Sequence, residues 1–416
     1  LKLHIPPAFK HRRYFYIWLG LLISMAGSNM QLTAVHWHIR ELTGEPDPLA
    51  LGGIGVARFL PVVIFSLIGG AVADTLNRRK ILFTTQSILA VQALVLGYLT
   101  FSGNISIWSI YILTAIQGAA ASFDLPARQA MVPNLVSRED LPSAFSLSSI
   151  AFNIGSMAGP VLASLVIKDW GLEWVYFINA VSFLAVIIAL ALIGHVPQEK
   201  THTNGINLSS VWDGVKFIFS RQLILSTMVM DFIATFFASA NTMMPIIARD
   251  ILRVGVLEYG WLTMAQSTGS VIAGLVVSQF KQIRKQGLIF LASVVTFGLA
   301  TIFFGLVRSL GLALVALAIV GAADAVSTII RNTIRQMQTP DHIRGRMTSV
   351  NQIFFMGGPQ LGEAEAGLVA AAFGVPFAII SGGIGCIIGM GLVAWKWPQL
   401  VKYDGQEPQP AAATGD

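Results

Sequence analysis

Four carboxylates stand in stretches of the chain that are otherwise apolar: Asp231, Asp324, Glu363 and Glu365. Apolar surroundings disfavour an ionised carboxylate, so an acid held there is a candidate to take up and release a proton. A static hydrogen bond to a neighbouring helix is the alternative for each. After Asp324, the residues Thr328, Arg331 and Arg335 follow at i+4, i+7 and i+11. On a helix these form one polar stripe, which must face protein or water and not lipid. Glu363 and Glu365 lie about 200° apart around a helix, so at most one of them faces a given cavity. Arg58, alone in an apolar run, suits an anionic ligand or an acid partner, with snorkelling to the surface as the alternative. His36 is of the type that titrates near neutral pH, although a His near a helix end is more often interfacial. Asn29, Thr33 and His36 share one helical face, and Ser146, Ser149, Asn153 and Ser156 share another. Stripes of small polar residues line cavities, and they equally serve helix packing. The chain has no phosphate-binding glycine loop, metal-ligand cluster or nucleophile–base spacing, so no cofactor, metal or enzymatic activity is expected.

The elements that must position these residues follow from composition. With 54% hydrophobic and 12% charged residues, the 416-residue chain does not suit water-soluble domains. Windows of about 20 residues predict twelve apolar spans. They lie near 14–38, 49–73, 81–102, 107–127, 143–168, 173–194, 222–247, 257–279, 287–307, 310–330, 347–373 and 375–397. The expected fold is therefore an all-α membrane protein. A polar stretch at 195–221 divides it into an N-terminal six-helix bundle, 1–194, and a C-terminal one, 222–397. Leu208, Val211, Trp212, Val215 and Ile218 give that linker an amphipathic helix suited to the membrane surface. The tail, 398–416, reads as disordered.

The halves echo each other at an offset of about 203 residues, the pattern of an internal repeat. Gly118-Ala-Ala matches Gly321-Ala-Ala, and Arg128 matches Arg331. Most of the 27 Lys and Arg fall on one side of the predicted topology, among them Lys10, Arg78, Arg79, Lys80, Arg128 and Lys281. Both termini are thereby expected in the cytoplasm. The net charge of +6 is accounted for by loops facing anionic headgroups, and no nucleic-acid partner is expected. The first apolar run exceeds a signal-peptide core and has no cleavage pattern after it, so it is expected to persist as a span. The single cysteine, Cys386, carries no redox inference.

Between the second and third spans lies Gly70-Ala-Val-Ala-Asp74-Thr-Leu-Asn77-Arg78-Arg79-Lys80. Charges this dense belong in a short loop at a membrane border. Gly70, Asp74, Arg78 and Arg79 match the signature loop of the major facilitator superfamily, which this segment resembles; Asn77 replaces the second glycine. Asn tolerates left-handed backbone angles, so the turn is retained. A second, degenerate copy has Gly274, Lys281, Arg284 and Lys285, with Ser278 at the acid position. The run Asp124-Leu-Pro126-Ala127-Arg128-Gln129, followed by Val132-Pro133-Asn134, resembles the branch that contains enterobactin-type siderophore exporters and related efflux proteins, and also lysophospholipid flippases. Gly155-Ser-Met-Ala-Gly159-Pro160 resembles part of an antiporter motif, and Gly357-Gly358-Pro359 is similar. Thr114 stands where proton-driven drug antiporters of the superfamily have an Arg, so their relay is not carried over.

The resemblance implies the major facilitator fold, two six-helix pseudo-repeats around a cavity walled by spans 1, 4, 5, 7, 8, 10 and 11. It implies gating by Gly70, Asp74, Arg78 and Arg79, with Asp74 pairing to a neighbouring helix near Arg128. Asp124 and Arg128, at i and i+4 with the acid first, form a favourable helical pair and a further gating candidate. Proton coupling falls to Asp231, Asp324 or Glu363. The substrate cavity falls to Asn29, Thr33, His36, Arg58, Asn153, Thr328 and Arg331, and helix bending to Gly155, Gly159, Pro160 and Pro359. The expected function is export of a small amphipathic or siderophore-like molecule by proton antiport, from a monomer in the inner membrane of a prokaryote. Its partners are that substrate, membrane lipids and protons. A lipid flippase and a non-transporting membrane sensor or assembly partner are the alternatives.

Overall fold

The computed structural model of the chain describes residues 6–194, 196, 215–237, 240–280 and 283–405. Within them, the side chains of 66–71, 73–75, 240–241, 341–342, 344–346, 348–349 and 352–356 are not described. The described residues form helices and no strand. The long helices are α1 (Arg12–Thr43), α2 (Pro48–Thr75), α3 (Arg78–Phe101), α4 (Ile107–Met131), α5 (Leu141–Asp169) and α6 (Leu172–Ile193). They continue as α7 (Gln222–Phe237), α8 (Val256–Val277), α9 (Gln286–Leu306), α10 (Leu310–Met337), α11 (Asp341–Phe373) and α12 (Val375–Lys396).

Among the described residues, eight helices are long and apolar enough to cross a membrane, which makes this a multi-pass membrane protein. The other long helices are α1, α4 and α11, which carry more polar residues, and α7, which is short. Within the span predicted at 222–247, α7 is described to Phe237, residues 238–239 lie outside the described residues, and helical turns cover Ala240–Met243, Met244–Ile246 and Ile247–Ile251, the last a π-helical turn.

Local chemistry sets several boundaries. The Asn77 side chain caps α3 by accepting from the Lys80 N–H at 3.2 Å, so the residue that replaces the family's second glycine serves as an N-cap. Ser106 caps α4 in the same way, accepting from Ser109 N–H at 3.1 Å. Gly171, at φ +108°, makes the tight turn between α5 and α6 that a side chain would strain.

Two compact units emerge. Unit 1 comprises residues 1–46, 57–206 and 254–264; unit 2 comprises 47–56, 207–253 and 265–416. The first turns of α2 thus belong to unit 2, and the first turns of α8 to unit 1. In unit 1, α1 packs on α5 and α6, and α3 on α4 and α6. Unit 2 repeats this pattern six helices later: α7 packs on α11 and α12, and α9 on α10 and α12. Each unit has its own apolar core, one around Tyr14, Ile17, Leu135 and Leu190, the other around Phe290, Val294, Ile334 and Cys386.

The segment after α12 differs from the expected disorder. Pro398–Lys402 is a short helix with Leu400 fully buried. Beyond it, Gly287 N–H donates to Tyr403 O at 2.9 Å and Lys285 N–H to Asp404 Oδ1 at 2.6 Å. These contacts satisfy amides at the start of α9 that have no partner within that helix, a benefit that a composition-based reading of the tail does not register. Residues 406–416 lie outside the described residues. So does most of the linker, including Leu208, Val211 and Trp212. Its end, 215–220, is helical and packs Ile218 against Ile224, Met228 and Met347.

The repeat is visible at matched glycines. A Cβ on Gly118 of α4 would lie 2.9 Å from the Arg58 carbonyl oxygen of α2, and one on Gly321 of α10 would strike the Gln266 carbonyl oxygen of α8. One step further along α8, a Cβ on Gly269 would strike the Ala318 carbonyl oxygen. Backbone carbonyls cannot move aside as side chains do. Gly321→Ala should therefore lower stability by about 1–3 kcal/mol, as overpacking does. Thermal melting in detergent checks this against Gly311→Ala, where nothing lies within 4 Å.

Candidate functional site

Unit 2 holds the densest charge cluster among the described residues. Asp231 on α7 is fully buried between two guanidiniums of α10: Arg331 Nη2 is 3.0 Å from Oδ1 and Arg335 Nη2 is 3.3 Å from Oδ2. Arg335 also donates to Thr227 Oγ1 at 3.1 Å and to Thr227 O at 2.9 Å. Arg331 donates to Ser327 Oγ at 3.2 Å and lies 3.7 Å from Asp324 Oδ1. The two acids differ in access, since the Asp231 side chain is 1% exposed and that of Asp324 is 42% exposed. Arg331 is thus shared between a sealed carboxylate and an open one.

Unit 1 holds the counterpart on α3 and α4. Asp124 is buried and accepts from Gln86 Nε2 at 2.7 Å and Thr85 Oγ1 at 3.0 Å, and it pairs with Arg128 one turn on. Arg128 and Arg331 occupy the positions matched by the 203-residue offset, and each bonds a side chain four residues earlier, Asp124 and Ser327 respectively. Its three donors come from α3 and α4, so this buried carboxylate links the two helices. At the start of α3, Arg78 donates to Ala130 O and to Asn134 Oδ1, both at 2.9 Å, while Arg79 Nε donates to Leu190 O at 2.8 Å. These arginines tie the start of α3 to the ends of α4 and α6 within the unit. The side chains of Gly70 and Asp74 lie outside the described residues, and Arg128 has its partner in Asp124.

Other expected site residues are placed as follows. Asn29 Nδ2 and Thr33 Oγ1 donate to backbone carbonyls four residues earlier in α1, at 2.9 Å each. His36 is buried, with no hydrogen bond to Nε2 among the described residues. Arg58 is partly buried and Asn153 is exposed. Thr328 is partly buried on α10, in line with the arginines. Glu363 is buried at α11, where a Cβ on Gly55 would come within 3.0 Å of its Oε2. Glu365 is only partly buried. Gly155 and Gly159 let α5 approach the α1 backbone, since a Cβ on Gly159 would lie 3.0 Å from Ala26 O and Met30 N. Pro160 and Pro359 sit inside helices that run on past them.

Sequence reasoning missed the uncharged polar residues. Gln31, Gln92 and Asn179 link α1, α3 and α6: Gln31 Nε2 donates to Gln92 Oε1 at 3.1 Å and Asn179 Nδ2 to Gln31 Oε1 at 2.7 Å. His38 Nδ1 meets Tyr176 OH at 3.0 Å. The available signal was a lone amide inside each apolar run, an expensive residue unless bonded.

Comparison with known proteins gives the family and the fold. The chain is 25% identical over 400 residues to the multidrug efflux pump Tap of Mycolicibacterium fortuitum, covering 93% of this chain and 96% of that one. It is 26% identical over 420 residues to the enterobactin exporter EntS of Escherichia coli O157:H7, covering 100% and 97%. Among solved structures it resembles a bacterial homolog of the human lysosomal transporter Spinster, with TM-score 0.73, 14% identity, and 96% and 99% of the two chains covered. It also resembles a POT family transporter in complex with 5-aminolevulinic acid, with TM-score 0.71, 12% identity, and 94% and 96% covered. These likenesses to structures show the fold. The family model described as transmembrane secretion effector matches residues 6–412, nearly the whole chain, and the chain therefore belongs to that family within the major facilitator superfamily.

Proposed function

We propose that the protein is a secondary active exporter of the bacterial inner membrane. It crosses the bilayer twelve times, keeps both termini in the cytoplasm, and moves a small amphipathic or siderophore-like molecule outward by proton antiport with alternating access. The observation that carries the coupling is the pairing of an open acid, Asp324, with a guanidinium, Arg331, that also lies 3.0 Å from the sealed acid Asp231. An ionisable cluster inside membrane-spanning helices is costly, and proton relays are a common reason for one. Export as the direction is supported by the relatives, one an efflux pump and the other a siderophore exporter.

The test is the internal pH of proteoliposomes on adding a panel of siderophores, amphipathic drugs and lysolipids. A compound-dependent proton flux is the expected result. Movement of a compound without proton flux would replace antiport with a flippase or uniporter reading. If no compound moves in the wild type, and Asp74→Asn leaves a folded protein with the same silence, the sensor or assembly reading takes over.

A further inference from the structure

Arg78, Arg79 and Lys80 are three consecutive bases, and the first two are committed to acceptors at the ends of α4 and α6. Lys80 is different. Its side chain is exposed, and its ammonium makes no hydrogen bond or ion pair with any described residue. It stands at the mouth of a groove of about 640 Å³ in unit 1, lined by α3, α4 and the end of α2. Along α3 the groove follows Lys80, Thr84 and Ile88, which repeat every four residues and so share one face rising about 12 Å. Along α4 it follows Ala119, Ala120 and Phe123. Ala119 and Ala120 are the small residues of that wall. Lys80 is the charged residue among the described lining.

We propose that this groove binds an anionic phospholipid, one acyl chain lying along α3 and α4 and the headgroup phosphate on Lys80. Three observations favour a lipid. One wall, α3, is long and apolar enough to cross a membrane, and the surroundings of such a helix are acyl chains. Ile88, Ile116 and Leu76 expose 41%, 40% and 55% of their surface around the groove, which lipid covers and water would not. A single free base beside an apolar slot matches the order of charge and hydrocarbon in one phospholipid, and a basic residue at the membrane border attracts anionic headgroups. The groove also reaches the buried charge cluster, since Thr85 both lines it and donates to Asp124. A bound lipid would therefore brace the α3–α4 contact.

The experiment is native mass spectrometry of the full chain in detergent, titrated separately with phosphatidylglycerol and phosphatidylcholine. The wild type should retain phosphatidylglycerol preferentially. Lys80→Ala should weaken that retention about fivefold while sparing phosphatidylcholine, and Lys80→Arg should restore it. Ala119→Phe, which fills the slot, should reduce retention of both lipids, with Thr84→Leu as a second way to narrow it if the first variant does not fold. Unchanged phosphatidylglycerol retention in Lys80→Ala would overturn the proposal, and so would unchanged retention in both slot-filling variants. A wild-type dimer that Ala119→Phe abolishes would assign the groove to a second copy and overturn it as well. The readout is bound lipid, so its failure leaves the transport reading standing.

Discussion

Asp231→Asn should destabilise the protein by about 3–5 kcal/mol, the cost of removing one partner from a buried ion pair. Asp231 is the shared anion for Arg331 and Arg335, which are 3% and 2% exposed, so neither guanidinium can turn to water when the charge is lost. Asn keeps the shape and one acceptor oxygen. It removes the charge that offsets two cations. Arg335 retains Thr227, and Arg331 is left with Ser327 and the more distant Asp324. Thermal melting in detergent measures the loss, and yield of monodisperse protein should fall with it. The origin of the effect is separable: if uncompensated charge is the cause, the triple variant Asp231→Leu, Arg331→Met, Arg335→Met should recover most of the stability, because apolar replacement of a whole buried ionic group is often neutral or stabilising. A triple variant as unstable as Asp231→Asn would point instead to packing at α7 and α10.

Asp324→Asn should have the opposite profile, little change in stability and loss of proton-coupled flux to the level of protein-free vesicles. Its carboxylate is 42% exposed and 3.7 Å from Arg331, against 1% and 3.0 Å for Asp231, so deleting its charge should cost less than deleting that of Asp231. Arg331 keeps its 3.0 Å contact to Asp231 in the variant. The group able to exchange a proton with water is gone, however, and compound addition should no longer move protons. Asp324→Glu, which retains the acid, should keep measurable flux. If Asp324→Asn transports protons normally, coupling moves to another acid, with Glu363 next, and the Asp324–Arg331 contact has no part in it.

The contrast between these two acids was hidden in the sequence, where both read as carboxylates within apolar runs. The stripe of Asp324, Thr328, Arg331 and Arg335 was legible because helical periodicity is local and repeats along one segment. So was the Asp124–Arg128 pair, four residues apart on one helix. Arg335 and Asp231 are separated by 104 residues, and no periodicity within either helix says that α7 and α10 meet there. Gln86 and Thr85 were passed over beside Asp124 because neither is charged, yet they supply two of its three donors. The acceptors of the signature arginines show the same limit, since the Ala130 and Leu190 carbonyls and the Asn134 amide lie 52, 111 and 56 residues away along the chain.

The sequence by itself determined the membrane class, the long helices and the internal repeat. Each rests on signals carried within a single segment or between matched ones: the length of an apolar run, the spacing of polar residues along it, and like residues 203 positions apart. Tertiary structure decided which charges are sealed and which are open, why Lys80 alone of three bases is left over, and that Pro398–Asp404 folds back on the start of α9. Each of these depends on which helix faces are brought together, and burial and partnership belong to that contact and to no one segment of the chain.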